Sequence, residues 1–496
     1  MKKFLCGFLA FLMVLSSLVF LFSCSDDKDN KKDDTEKNQN VVMEDDGSIF
    51  YERSLVDDEL GEEDYGERDF RVVAQQMDEI FIEEEERNQG DLLKDATFSR
   101  NNTVENRFNI NIDVIYNGTY QEINDYVSKT VLSGTDEFDL LMGMVMSTGG
   151  LVTKNLFLNW YDIEHIDFSK PWWYESNTTD LTYDGKNIIA ISHLNRTAVG
   201  GAYCLYFNKD LAAAYDLGDL YKVVLDGKWT FDKFYELIKD IYIDDGNDKR
   251  DENDFYGLAQ GCGTGINSYL WAFDNPTCQK DEEGVPKVSV KTDKVDSIIK
   301  GIYDLCYNTN GVYFSAADSV DGMAHYADDM FYSKRTIFHQ TSLSAATGER
   351  MRNFDNEYGL LPLPKWTEDQ AKYTTMVGGH HTCLAVPKTC RDTEFVGRIV
   401  EALSAESWKT ITPTLYETAL KTRYLRDNES KEVMDLIVNG TQFDFGTVYD
   451  NWKGYSFMLQ YMMKEANSNF ESFYQKRYSA ARTQYKMVVK AFDKAG

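Results

Sequence analysis

Beyond residue 68 the apolar positions of the chain alternate between two rhythms. Phe70-Arg71-Val72-Val73-Ala74 is a short β-rich stretch and reads as a first strand. A helix is expected near Asp95 to Arg107. Directly after it Phe108, Ile110, Ile112 and Val114 alternate with Asn109, Asn111 and Asp113, the period of two that marks a strand with one buried face. Tyr120, Ile123, Val127 and Val131 then recur at helical spacing as far as Gly134, and Phe138-Asp139-Leu140-Leu141 returns to strand. Strand, helix, strand, helix, strand is the βαβ order of a mostly parallel sheet, so the fold class is α/β. A second run of the same kind begins at Asn187 to Ile191 and Tyr203 to Phe207, followed by helices at Thr230 to Tyr242, Val295 to Tyr307, Phe395 to Ser404 and Ser472 to Ala491. A body of about 430 residues exceeds what one core supports, and two or more domains are expected.

The N-terminus follows other rules. Lys2 and Lys3 precede an apolar run from Phe4 to Phe22 that ends in Ser23-Cys24. A run of roughly 20 apolar residues can also span a membrane, but small Ser23 directly before Cys24 favours cleavage as a signal segment. The pattern resembles a bacterial lipoprotein signal over residues 1–23, which implies lipidation of Cys24 and a protein anchored on the extracytoplasmic face of the cell membrane without spanning it. Residues 24–68 are dominated by Asp, Glu, Lys and Asn, too polar to offset their ordering entropy, and read as an acidic disordered tether.

With 43% hydrophobic and 14% aromatic residues the rest is globular. The net charge of −30 argues against binding nucleic acid or anionic lipid through a basic patch. Cys204, Cys262, Cys278, Cys306, Cys383 and Cys390 belong to the body; they are no disulfide framework, although Cys262 with Cys278 or Cys383 with Cys390 could pair, and buried free thiols are the alternative. No zinc-protease spacing, nucleophile elbow or phosphate loop occurs, and no cofactor is expected. The acidic run Asp244 to Asp254 invites a calcium reading, but a loop closed by Asp254 would need Ile243 as its first ligand, so no metal is expected.

Specific strings then narrow the choice. Tyr206-Phe207-Asn208-Lys209-Asp210-Leu211, preceded by Asp184-Gly185-Lys186 and followed by Trp229-Thr230-Phe231-Asp232, resembles family 1 extracellular solute-binding proteins, the group that includes maltodextrin-binding proteins. Phe331 to Phe338, Tyr358 to Lys365 and Gly378-Gly379 through Ala385-Val386-Pro387-Lys388 are similar to later segments of that family, in the same order. The resemblance implies a two-lobed, type II periplasmic-binding-protein-like fold with a ligand cleft between the lobes: 69–195 plus 325–375 as lobe 1, and 200–320 plus 385–496 as lobe 2. It also implies capture of a small polar solute, an oligosaccharide first among them, and delivery to the membrane subunits of an ABC importer by a monomer that is not an enzyme.

Sugar sites stack aromatic rings on the pyranose and offer polar groups to its hydroxyls. By resemblance, Tyr269 and Trp271 sit at the family's cleft aromatic cluster, and Gln340 and Ser342 in a loop that reaches the cleft; the tryptophan common in that loop is missing here. Ligands of open α/β sheets bind beyond the carboxyl ends of strands, which adds Gln75, Gln76 and Met77 after the first strand and Ser147 within Met144 to Thr148. His380 and His381 follow a glycine pair near the crossing between lobes. Trp172 and Trp173 read as structural. An extracellular glycoside hydrolase and a mostly helical outer-membrane-type glycan-capture lipoprotein are the alternatives.

Overall fold

The computed structural model describes residues 49–75, 80, 91–289, 292–318, 325–420, 428–450 and 454–495. Cys24, Gln76, Met77 and the apolar run 4–22 lie outside them. Among the described residues no helix is long and apolar enough to cross a membrane.

The expected βαβ run is present. β1 (Arg68–Gln75), the helix Leu92–Phe108, β2 (Ile110–Gly118), the helix Tyr120–Ser133 and β3 (Leu140–Met144) follow in order, with β1 parallel to both β2 and β3. Local chemistry sets the boundaries. Asp91 caps the first helix, and Thr119 with Glu122 forms a reciprocal capping box on the second, which stops at Gly134. β3 is apolar throughout because it is a central strand, buried on both faces.

β4 (Tyr203–Asn208), β5 (Tyr242–Ile243) and β6 (Phe255–Gly261) open the second half, followed by the hairpin of β7 (Cys278–Lys280) and β8 (Pro286–Val288), then β9 (Val312–Ser315), β10 (Thr336–Ser342), β11 (Tyr358–Leu361), β12 (Thr375–Met376), β13 (Thr382–Ala385) and β14 (Thr441–Gln442). They complete one sheet in the order β13-β3-β1-β2 and build a second in the order β11-β4-β10-β6-β5, with β9 on β6. Helices Leu92–Phe108 and Thr393–Glu406 cover one face of the first sheet, where Phe70, Val72, Phe108, Phe395 and Ile399 form a dry core. Two segments cross between the sheets side by side: Gly201–Ala202 runs antiparallel to Val377–Gly378, joined by Gly378 N donating to Gly201 O at 3.2 Å.

Four expectations change. β10 and β11, placed by resemblance in lobe 1, pair with β4 in the second sheet, because β10 lies antiparallel to β4 and parallel to β6. β13 and the helix Thr393–Glu406 return to the first sheet and its core, so 385–496 is not wholly lobe 2. Residues 187–191 form no strand; Ala190 makes a single bridge to Leu384. Residues 49–68, read as tether, pack onto the body: a helix spans Ile49–Ser54, Asp58 is buried in an ion pair with Arg107, Leu60 is in the core, and the Tyr65 ring lies 4.7 Å from that of Phe395. Charge-rich composition concealed this, because the carboxylate of Asp58 is neutralised by its partner instead of by solvent. The body cysteines are all free thiols, five of them buried, so neither candidate pair is bonded.

Candidate functional site

The carboxyl edge of the first sheet carries buried polar atoms with no partner among the described residues. Ala74 pairs with Met142, so Gln75 lies level with Gly143 near the end of β3, and Thr382 at the start of antiparallel β13 faces Met144. Gln75, Ser147 and His381 therefore share one edge across three adjacent strands, a span on the order of 10 Å at the usual strand spacing. Among the described residues, Gln75 Oε1, Ser147 Oγ and His381 Nε2 are buried without a hydrogen bond, which costs about 1–3 kcal/mol each unless something fills the gap. Ser147 and His381 are each 5% exposed. The helix Val145–Val152 starts at this edge without a side-chain cap, and its first N–H, that of Val145, donates to the His381 carbonyl at 2.9 Å.

His381 has a defined chemical state. Its Nδ1 lies 2.6 Å from the Gly378 carbonyl, which can only accept, so Nδ1 carries the proton and Nε2 is a lone-pair acceptor. Burial pushes its pKa down to about 4, which keeps the ring neutral. The predicted neighbour His380 is exposed. The glycine pair sets which histidine points inward. A Cβ at Gly379 would sit 2.5 Å from Met146 Sδ, and one at Gly378 would sit 3.1 Å from Tyr203 Oη, so the crossing is squeezed between the two halves. His381 was legible only as a neighbour of His380, since the direction of a hinge side chain is not a sequence property.

The residues expected in the second half come together differently. Gln340 Oε1 accepts from Gln260 Nε2 at 2.7 Å, and its own Nε2 donates to Gly265 O at 2.7 Å and Ser268 Oγ at 2.6 Å. Tyr269 Oη donates to Gln260 Oε1 at 3.4 Å. The amide of Gln340 is engaged on both sides; Gln340 and Tyr269 brace the loop after β6 from within. Ser342 Oγ pairs with Ser344 Oγ at 2.8 Å. Beside that loop, Tyr203 Oη and Thr264 Oγ1 lie 2.7 Å apart at the crossing.

Trp271 is 1% exposed, and its indole N–H has no partner among the described residues. Truncation to alanine is expected to cost about 3–5 kcal/mol, as for other buried aromatics. Trp271→Phe discards no protein hydrogen bond and is expected to stay within about 1.5 kcal/mol of wild type in urea unfolding. A larger loss would mean that the N–H has a partner, such as internal water.

In the acidic loop, Asp244, Asp245 and Asp254 bring carboxylate oxygens within 4.8 Å of one another. Asp254 is buried and already accepts from Asp245 N, Asp251 N, Tyr242 Oη and Tyr256 Oη at 3.0–3.3 Å. Its work is to fold the loop.

No protein-family model matches the sequence, and no curated protein matches it. Solved structures do. A cyclo/maltodextrin-binding protein complexed with maltotetraose aligns over 86% of this chain and 97% of its own, at 13% identity and a TM-score of 0.52. The GacH receptor of Streptomyces glaucescens aligns over 86% and 97%, at 13% identity and a TM-score of 0.49. The maltose/maltodextrin-binding domain MalE from Bdellovibrio bacteriovorus aligns over 85% and 98%, at 12% identity and a TM-score of 0.48. At such identities the likeness is one of fold, and the first of the three carries it: the chain has the two-lobed α/β fold of periplasmic solute-binding proteins.

Proposed function

We propose that this protein is an extracytoplasmic solute-binding protein that captures a neutral, hydroxyl-rich ligand, an oligosaccharide, and delivers it to an ABC importer. The observation that carries this reading is the set of orphaned polar atoms at Gln75, Ser147 and His381. A sugar hydroxyl both donates and accepts. It can donate to Gln75 Oε1 and to the lone pair of His381 Nε2, and accept from Ser147 Oγ. All three side chains are uncharged, so the edge supports a neutral ligand over an ionic one. The fold shared with a protein complexed with maltotetraose supports the same reading. Binding between lobes stabilises the closed form, which is the form an importer can recognise.

Lipidation of Cys24 would hold this body at the extracytoplasmic face of the cell membrane as a monomer. The protein binds its solute and does not transform it; new reducing ends on incubation with glycans would favour a hydrolase. The two sheets speak against the helical glycan-capture alternative, which lacks an early βαβ run.

A thermal-shift screen against oligosaccharides, maltotetraose among them, tests the reading. A true ligand at about 100 times its dissociation constant stabilises the fold by about 2.7 kcal/mol, and the melting temperature is expected to rise accordingly. No shift with any neutral sugar, together with a shift from a charged solute, would replace the oligosaccharide.

A further inference from the structure

A third segment crosses between the halves alongside Val377–Gly378. β12 (Thr375–Met376) leaves the second half, where Tyr373 Oη donates to the Val224 carbonyl at 2.9 Å, and runs on through Val377–Gly378 to His381 and β13 of the first sheet. β14 (Thr441–Gln442) leaves the helix Asn428–Asn439, which packs on β11 of the second sheet. It leads to Phe443 and the helix Phe445–Tyr449, which packs on Val145–Val152 beside the first sheet. The two strands run parallel with Thr375 level with Thr441, and Thr375 N donates to Gly440 O at 2.8 Å. Residues level in register point to the same face, so the two threonine side chains stand side by side, about 4.8 Å apart at the strand spacing.

Thr375 is 1% exposed and Thr441 5%, and among the described residues neither Oγ1 has a hydrogen-bond partner, the other threonine included. Packing alone does not call for this pair, because valine fills the same volume with no hydroxyl to bury. One hydroxyl placed between them, about 2.8 Å from each oxygen, satisfies both by donating to one and accepting from the other. The pair is continuous with the edge of the first sheet. Phe443 follows Thr441 by two residues, about 7 Å along an extended chain, and its ring lies 5.2 Å from that of His381. We propose that Thr375 and Thr441 form a further hydroxyl-binding position on the crossing strands, filled by a second hydroxyl of the neutral solute held at Gln75, Ser147 and His381. A solute held there grips β12 and β14 together and so couples its own binding to the segments about which the lobes close.

Occupation by a sugar rests on the solute-binding reading, while the buried hydroxyls have a consequence of their own in the ligand-free protein. The full chain carrying both Thr375→Val and Thr441→Val loses two unpaired hydroxyls and keeps its side-chain volume, so its melting temperature without ligand is expected to equal or exceed that of the wild type. Titration calorimetry with neutral oligosaccharides, maltotetraose among them, should show the sugar that binds the wild type held about tenfold more weakly by this variant. Thr375→Ser with Thr441→Ser keeps both hydroxyls and should bind as the wild type does. A valine variant that melts below the wild type would mean that the hydroxyls already share an internal partner. A valine variant that binds as tightly as the wild type would mean that no solute reaches them, and a serine variant as weak as the valine one would assign the loss to packing. Any of these three results overturns the threonine pair alone; a wild type that binds none of the sugars would overturn the solute-binding reading together with it.

Discussion

Glu401→Ala should be strongly damaging, lowering unfolding free energy by about 2–6 kcal/mol at pH ~5 through two orphaned donors at about 1–3 kcal/mol each. Glu401 lies inside the helix Thr393–Glu406 and is 1% exposed. Its Oε1 accepts from Trp172 Nε1 at 2.8 Å and its Oε2 from Trp173 Nε1 at 2.9 Å, so the paired tryptophans read from the sequence as structural are fixed by one carboxyl. Burial outweighs the two indoles and pushes the group from 4.5 up to about 8. An acid whose folded pKa is raised stabilises fully below its unfolded value, and that contribution is lost as pH rises from 4.5 through about 8. Wild-type unfolding free energy should therefore fall across this window at up to about 1.4 kcal/mol per pH unit from this group. Glu401→Gln keeps the shape, leaves one indole unpaired and removes this group's pH dependence. Urea unfolding from pH ~5 to ~8 separates the variants, and parallel pH slopes for Glu401→Gln and wild type would refute the assignment.

Gly149→Ala is the second large effect. A Cβ on Gly149 would lie 2.0 Å from the Val448 carbonyl oxygen and 3.0 Å from its carbon, both main-chain atoms that no rotamer change can move aside. Alanine gains about 1 kcal/mol in helix propensity, but prising the helix Phe445–Tyr449 off Val145–Val152 costs more. The expected net loss is about 3 kcal/mol, read as a lower urea midpoint with an unchanged slope. Because Ser147 belongs to the displaced helix, ligand affinity should fall with stability. A neutral result would mean that the two helices do not touch at this point.

How much of this was legible in the sequence depended on the range of the signal. The alternation of Ile110, Ile112 and Val114 and the helical spacing from Tyr120 to Val131 are local, and both elements stand where the pattern put them. The sheet to which β10 belongs is a matter of pairing partners 80 or more residues away, and nothing within Thr336–Ser342 records that it inserts between β4 and β6. The same holds for the site. Gln75 and Ser147 were reachable because strand ends can be located by pattern and ligands gather beyond them. Trp271 and Gln340 carried the right chemistry for a sugar, yet their burial and internal hydrogen bonding follow from tertiary packing that composition cannot show. The order of residues 49–68 escaped for the opposite reason: an acidic stretch looks solvated until Arg107 is seen to meet Asp58.

The central claim is that a neutral, hydroxylated solute occupies the edge formed by Gln75, Ser147 and His381. Titration calorimetry of the full chain with a panel of neutral oligosaccharides, repeated on Ser147→Ala and His381→Phe, tests it most directly. At least one sugar should bind one to one, and each substitution should weaken it by about tenfold or more, equivalent to about 1.4 kcal/mol, while the protein stays folded. Binding that is unchanged in both variants, or absent for every neutral sugar offered to the wild type, would contradict the account.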